Sequence, residues 1–425
     1  MTSSSLLIRG GCVLTLGART PNFARADLLI QDGRIAEIGE DIRSRGAEIV
    51  DASDTIVMPG FVDTHRHVWK SLFRNLGVPG SGPAAAVRAE HHRPEDLHAA
   101  TAIGLLGAVE AGITTVVDWA DVSSGAEHLD AVVEAHRASG LRTVLVHPNT
   151  VHAAHDGPGR NGFAHASRDL TGDIETLGED WTTSRSQGLR IHAHAGLPDS
   201  PAGVVVHARD GGLLGEDVTL VHCTNLGGAD LDAIAASGAR VSITPSSEMA
   251  GALGSPPIQK LIDRGIRPGL GVDDEQVAPG DLFAQMRAAI SIQHAEMFDQ
   301  KLAGKGGLPG LLTTREVVRY ATLDGARAAG LADVTGSLEV GKQADVIVLR
   351  ADRPNISPVN DPIGAVVWGM DTSNLDWVIV GGRALMRNGG LASDVERARE
   401  LAIDAQRRVV SSAGLMANAI TGETA

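Results

Sequence analysis

The stretch Ile56-Val57-Met58-Pro59-Gly60-Phe61-Val62-Asp63-Thr64-His65-Arg66-His67 decides the reading of this chain. It is an apolar run that ends in two histidines separated by one residue. Along a strand, residues i and i+2 point to the same side. Two imidazoles at the end of one buried strand can therefore reach one metal ion together. Histidine is a frequent metal ligand and a commoner bystander, so the meaning of the pair depends on what the other strand ends carry.

Outward from this run the chain alternates strands and helices. Further strands are expected at Ile113–Trp119, Leu141–His147, Leu189–His194, Val218–His222, Ala239–Thr244 and Ile266–Asp273. Helical stretches such as 100–111 and 130–139 lie between them. Seven strands are evident, and an eighth is assigned to residues 148–188. That segment is also rich in Gly, His and Asp, as an active-site loop would be. A βαβα alternation predicts a parallel sheet. Several strands finish in His or Asp, and chemistry at the C-terminal strand ends is the habit of a (β/α)8 barrel.

Both chain ends read differently. Leu6–Gly10, Cys12–Leu16, Asp27–Ile30 and Ile35–Ile38 are short strands, the last two joined at Asp32-Gly33, a strong hairpin signal. Ala344–Leu349 and Trp377–Arg383 are strands again. The expected fold is thus α/β: a (β/α)8 TIM barrel over residues 58–344. Residues 1–57 and 345–425 would form a small composite β-sandwich plus a C-terminal helix.

Bulk properties narrow the function. The 425 residues exceed one ordinary core and suit a barrel with an accessory unit. Lys plus Arg number 37 against 52 Asp plus Glu, a net charge of −15, which gives no basic footprint for nucleic acid. Cys12 and Cys223 are too few for a disulfide framework or a structural zinc site. No apolar run approaches a membrane span, and residues 1–5 show no basic region before a long apolar stretch, so a cytoplasmic protein without membrane attachment is expected.

Three strand ends carry metal-type donors: His65 and His67 on the first, His194 on another, Asp273 on the last evident one. Three imidazoles and a carboxylate suit Zn²⁺ or Fe²⁺ with a position left for water. His222 ends a further strand, where it can hold or deprotonate that water. A chance gathering of ligand types at so many strand ends is the weaker explanation.

At this point the chain resembles the amidohydrolase superfamily, in its cytosine deaminase and triazine hydrolase branch. Val57–His67 is similar to the PGFVDxHxH signature, and Gly112–Asp118 to a GxTTVxD strand. Ile191–His194 and Leu220–Cys223 are similar to the fifth- and sixth-strand His motifs. Gly269-Leu270-Gly271-Val272-Asp273 is similar to the GxGTD segment. Ala321–Arg327 and Gly336–Asp345 are similar to TxxGAxALGL and GSLExGKxAD. The resemblance implies the barrel, the composite sandwich, a homo-oligomer and a catalytic divalent metal. His65, His67, His194 and Asp273 would be the ligands, and His222 and Asp273 would move protons. Binuclear members use a carbamylated lysine at the fourth strand. Residues 141–188 contain no lysine, which points to one metal per chain, zinc before iron.

One departure bears on the chemistry. Deaminating relatives carry Glu three residues after the fifth-strand His, where this chain has Leu197. A leucine cannot shuttle a proton. Glu248, just beyond the seventh strand, is a stand-in by position; its alternative is a solvated loop carboxylate. Asp274 is a weaker candidate. Trp69 and Trp119, past strand ends, could stack on a flat substrate or simply pack in the core. His147 and His152 are candidates for substrate contact. The expected function is a hydrolase in which metal-bound hydroxide attacks a small nitrogen-containing ring and a C–N bond breaks. A metal-dependent lyase or isomerase is the alternative that Leu197 motivates, and a non-catalytic scaffold a more distant one.

Overall fold

The run from Ile56 to Thr64 is two strands rather than one. Thr55–Pro59 belongs to one sheet and Phe61–Arg66 to another, with the break at Gly60. A Cβ built on Gly60 would lie 2.1 Å from the Thr114 side chain, so only glycine lets the chain cross between the sheets here. The computed structural model describes residues 5–76, 91–121, 125–147, 162–167, 170 and 173–412, with the backbone alone for 162–167.

One sheet has eight parallel strands in sequential order. They are β1 (Phe61–Arg66), β2 (Ile113–Trp119), β3 (Arg142–His147), β4 (Gly162–Ser167), β5 (Arg190–Ala195), β6 (Val218–His222), β7 (Arg240–Ile243) and β8 (Gly269–Leu270). The strand assigned to 148–188 is β4, in register with Val144–His147 on one side and Arg190–Ala193 on the other. Most of these strands are buried along their whole length, which is why they read as continuous apolar runs without alternation.

β8 is only two residues long, much shorter than the expected 266–273. Pro268 has no N–H to donate, and beyond Leu270 the chain divides its hydrogen bonds between neighbours. Gly271 N–H donates to Ile243 O of β7 at 2.9 Å, and Asp273 N–H to His65 O of β1 at 2.7 Å. His67 N–H returns to Asp273 O at 3.1 Å. A Cβ on Gly271 would sit 2.8 Å from the His65 backbone. The two ends of the sheet therefore touch at their C-terminal edge.

Helices connect the strands. Pro94–Glu110 begins where the sequence allows it: Pro94 opens the first turn, and the Asp96 carboxylate accepts from Arg93 N–H at 3.1 Å. Ile174–Ser186 starts at Asp173, whose carboxylate accepts from Thr176 N–H at 3.2 Å. No helix among the described residues is long and apolar enough to cross a membrane.

The second sheet draws nine strands from both chain ends, within residues 5–59 and 346–391. Thr55–Pro59 pairs antiparallel with Val346–Arg350, which joins the N-terminal and C-terminal segments. Leu6, Ile8, Leu28, Ile30, Val57, Val346, Val348 and Ile379 form its apolar core. Arg142 at the start of β3 makes a buried two-pronged contact with Asp345, at 2.7 and 3.1 Å, and Asp345 also accepts from Gly381 N–H. The final helix, Val395–Ser412, lies on Pro94–Glu110, with an Arg408–Asp96 ion pair between them.

Candidate metal centre

Side chains from the ends of β1, β5 and β6 and from the segment after β8 meet at the C-terminal edge of the parallel sheet. The β1–β2 register shifts between Asp63 and Arg66, so the end of β1 leaves regular pairing where its histidines lie. One donor atom from each of His65, His67 and His194 falls within 4.8 Å of the others, and the same holds for His65, His222 and Asp273. His65 Nε2 is 3.3 Å from Asp273 Oδ1, and His67 Nε2 is 3.6 Å from it. Two ligands about 2.1 Å from a common tetrahedral ion are separated by roughly 3.4 Å.

The backbone is held unusually to achieve this. Asp273 has φ of 66°, His222 of 72° and Cys223 of 60°. Left-handed conformations cost energy in residues with a Cβ and gather at functional sites. Asp273 is kept there by its two backbone hydrogen bonds to β1. Its neighbour Val272 donates its N–H to Asp63 Oδ1 at 3.0 Å.

Protonation suits a cation. Burial holds the His65 imidazole well below its ordinary range. Burial acts to raise Asp273, but the surrounding imidazoles of His65, His222 and His67 outweigh it, and its carboxyl is held below the usual carboxylate range. His65 is thus a neutral imidazole beside an ionised carboxylate, the states that metal binding requires. His65 is fully buried; its Nε2 faces Asp273, and its Nδ1 has no hydrogen-bond partner. Buried polar atoms are almost always satisfied, so this ring fits a ligand of a divalent ion.

Around these donors lies a layer that sequence reasoning did not find. His67 Nδ1 is 3.3 Å from Asp121 Oδ1, which also accepts from Trp69 Nε1 at 2.7 Å. A carboxylate behind a ligating histidine fixes its ring and tautomer. Arg66, fully buried, sits between Asp63 at 3.3 Å and Glu275 at 2.9 Å. Glu275 further accepts from Ser71 Oγ at 2.6 Å and Arg74 Nε at 2.9 Å. Burial would raise Glu275, yet Arg66 and Arg74 bring it down to about 2. Asp63 is pushed up to about 6, burial outweighing Arg66. This lattice ties the end of β1 to the segment carrying Asp273. The signal for Asp121 was its place two residues past the β2 end; Glu275 stands two residues after Asp273.

The other sequence candidates fall in distinct places. Glu248 is fully buried. Its Oε1 is 3.2 Å from His222 Nδ1 and accepts from Thr244 N–H at 2.8 Å. Burial raises its carboxyl above the ordinary range despite those bonds. Trp119 lies against the donors: its ring stacks on His194 at 4.2 Å and 18°, and meets His65 edge-on at 5.1 Å. Trp69 packs instead with Phe73, Leu97 and Leu129 and edge-on to His92, and it reaches His67 through Asp121. Asp274 holds Gln276 N–H at 2.9 Å and Lys70 Nζ at 3.4 Å. His147 is the buried last residue of β3. His152 lies outside the described residues. Leu197 is half-buried, two residues past β5.

Comparison with known proteins finds relatives that span nearly the whole chain. The chain is 26% identical over 423 residues to 5'-deoxyadenosine deaminase of Methanosarcina mazei, covering 91% of this chain and 93% of that protein. It is 29% identical to 5-methylthioadenosine/S-adenosylhomocysteine deaminase of Haloarcula marismortui, covering 97% and 100%. Among solved structures, a variant of the atrazine chlorohydrolase of Arthrobacter aurescens, complexed with zinc and atraton, superposes with a TM-score of 0.83 at 21% identity, covering 94% and 100%. An adenosine deaminase from Xanthomonas campestris with bound zinc gives 0.79 at 20% identity, covering 96% and 99%. Those two likenesses concern the fold. The Amidohydrolase family model matches residues 56–175 and 182–385, and the chain belongs to that family.

Proposed function

We propose that this protein is a hydrolase with one divalent metal, zinc before iron, that breaks a C–N bond of a small nitrogen heterocycle. The observation that carries it is the meeting of His65, His67, His194 and Asp273, with a fully buried His65 ring whose Nε2 lies 3.3 Å from Asp273 Oδ1. These four residues would hold the ion. A bound divalent cation supplies Lewis acidity and lowers the pKa of water toward ~7. The deaminases among relatives that span nearly the whole chain support hydrolysis over the lyase or isomerase alternative, which is not favoured.

The chain's own residues supply the proton handling. His222 takes and gives a proton, its ring held at Nδ1 by Glu248. Asp273 is ionised and accepts a proton from water. Leu197 takes no part. Glu248, its carboxyl raised by burial, acts through His222 and holds that ring in one orientation. Lys70 and Asp274 form a charged rim, and His147 and Trp119 border the substrate.

The finer architecture belongs to the same reading: a closed barrel over 58–344 and a composite sandwich from 1–57 and 345–425. The Asp273–His65 and His67–Asp273 backbone bonds support closure of β8 on β1. A cytoplasmic homo-oligomer is part of the proposal too, supported by the acidic charge and by exposed apolar residues such as Phe298, Leu302 and Trp368.

The test loads the protein with zinc, counts metal per chain, and follows ammonia release from 5'-deoxyadenosine, 5-methylthioadenosine and aminated triazines. One zinc per chain and ammonia from at least one of them is expected. One zinc per chain with no product from any of them overturns the substrate class; two ions, or none, overturn the centre.

A further inference from the structure

Trp119 carries an unexplained donor. The residue is 3% exposed and its indole Nε1 has no hydrogen-bond partner. Leaving a buried donor unpaired costs ~1–3 kcal/mol. The other buried indole beside this region, Trp69, spends its N–H on Asp121, so the arrangement does provide acceptors where a tryptophan needs one. Trp119 instead lies among the donors of the metal centre, its ring stacked on His194 and edge-on to His65. One face of the indole is taken by His194. Stacking a flat substrate on that face is therefore closed, and the edge bearing the N–H is the chemically active part of the ring.

We propose that Trp119 is a specificity-determining residue: its indole N–H donates a hydrogen bond to an acceptor atom of the bound heterocycle, a ring nitrogen or a carbonyl oxygen next to the carbon under attack. This rests on the heterocycle reading above. The chemistry differs from that of the glutamate found in deaminating relatives at the place of Leu197. An indole N–H polarises an acceptor but does not give up its proton near neutral pH. The residue thus selects for a substrate with a lone pair at that position and favours charge building on it, while proton transfer stays with His222 and Asp273. A site that hydrogen-bonds a substrate atom rejects analogues lacking it far more strongly than an apolar pocket does.

Trp119→Phe keeps an aromatic ring against His194 and removes only the N–H. In protein labelled with ¹⁵N at its indoles, five Trp signals are expected from the sequence, and the one missing in this variant is Trp119. Zinc is added first, then 5'-deoxyadenosine or atraton, with binding followed independently by calorimetry. The expected result is that zinc alone leaves the Trp119 N–H signal near its place. A bound heterocycle then moves it downfield, and Trp119→Phe retains zinc while binding that ligand about 10-fold or more weaker. An analogue with CH in place of the acceptor nitrogen should bind both proteins within twofold. A ligand that binds without moving the Trp119 signal, equal binding by the variant, or a full shift on zinc alone each overturn the inference and leave the hydrolase reading standing. If neither ligand binds the zinc-loaded protein, the heterocycle reading and the inference fall together.

Discussion

His222 Nδ1 and Glu248 Oε1 lie 3.2 Å apart, both side chains buried. The carboxylate arrives from the short helix Pro245–Ala250 after β7, and the imidazole from the end of β6. The same oxygen accepts Thr244 N–H, so the glutamate cannot swing without losing a backbone bond. A carboxylate fixed in this way holds the neighbouring ring at one tautomer and one angle, as in other His–carboxylate pairs at reacting centres.

Glu248→Gln should therefore retain the metal and lower kcat by roughly 10²–10³, with KM little changed. Glu248→Asp, which keeps the charge but shortens the reach, should recover part of the loss. His222→Ala should lose at least ~10² in kcat and leave Glu248→Gln without further effect in the double variant, because the two act as one unit. Steady-state kinetics with metal analysis on the same preparations reads all three. Additive losses would mean that Glu248 serves another partner.

Removal of the metal should be felt by the fold. The donors come from the end of β1, from β5 and from the segment after β8, so an ion bound to them stabilises only the folded chain. Prolonged chelator treatment should abolish activity and lower the thermal midpoint by roughly 5 °C, with both restored by zinc. His65→Ala should show the lowered midpoint without chelator and no response to it. A midpoint that chelator leaves unchanged would separate the cluster from metal binding.

How much of this was legible before the structure depends on the range of the interactions. His65 and His67 announced themselves because their spacing is local and strand geometry is simple. The strand ends at His194, His222 and Asp273 could be aligned with them because parallel strands repeat one direction. Gly60 was unreadable as a break, since its constraint is a side chain at Thr114, more than fifty positions away. β4 was hidden in a polar segment without alternation. The Arg66–Glu275 and Val272–Asp63 contacts join residues about 209 positions apart. Nothing in either stretch alone marks them. Glu248 could be suggested by position, but its partner could not.

The Arg142–Asp345 contact predicts a stability effect separate from activity. It is a buried, two-pronged ion pair linking the start of β3 to the nine-stranded sheet. Arg142→Ala leaves Asp345 as a buried carboxylate without its ion-pair partner, accepting from Gly381 N–H, and should cost ~3–5 kcal/mol. Denaturant unfolding should show this, while folded protein keeps its kcat/KM. The Arg142→Met/Asp345→Asn double variant should recover much of the loss, since neither charge then remains buried. A single variant as stable as the parent would mean that water reaches Asp345.

Gly271 offers the sharpest separation of backbone from ligand chemistry. It carries no donor atom, yet a Cβ there would sit 2.8 Å from both His65 N and His65 O. Real side chains do not approach backbone so closely, and the neighbour is the strand that bears two of the candidate ligands. Gly271→Ala must therefore push the β8 segment away from β1. The first bonds to stretch would be Asp273 N–H to His65 O and His67 N–H to Asp273 O, which hold Asp273 in its left-handed conformation. Its carboxylate would then move relative to His65 Nε2. Metal binding depends on ligand placement to within tenths of an ångström, so zinc affinity should fall by about 10–100-fold, the range seen when groups orienting a ligand are lost. Competition against a coloured chelator measures it directly, without a substrate. Gly306→Ala is the control, because a Cβ there meets nothing within 4 Å, and it should bind zinc as the parent does. Equal affinity in Gly271→Ala would show that the two strand ends separate without disturbing the ligands, and the assignment of Asp273 to the metal would have to be given up.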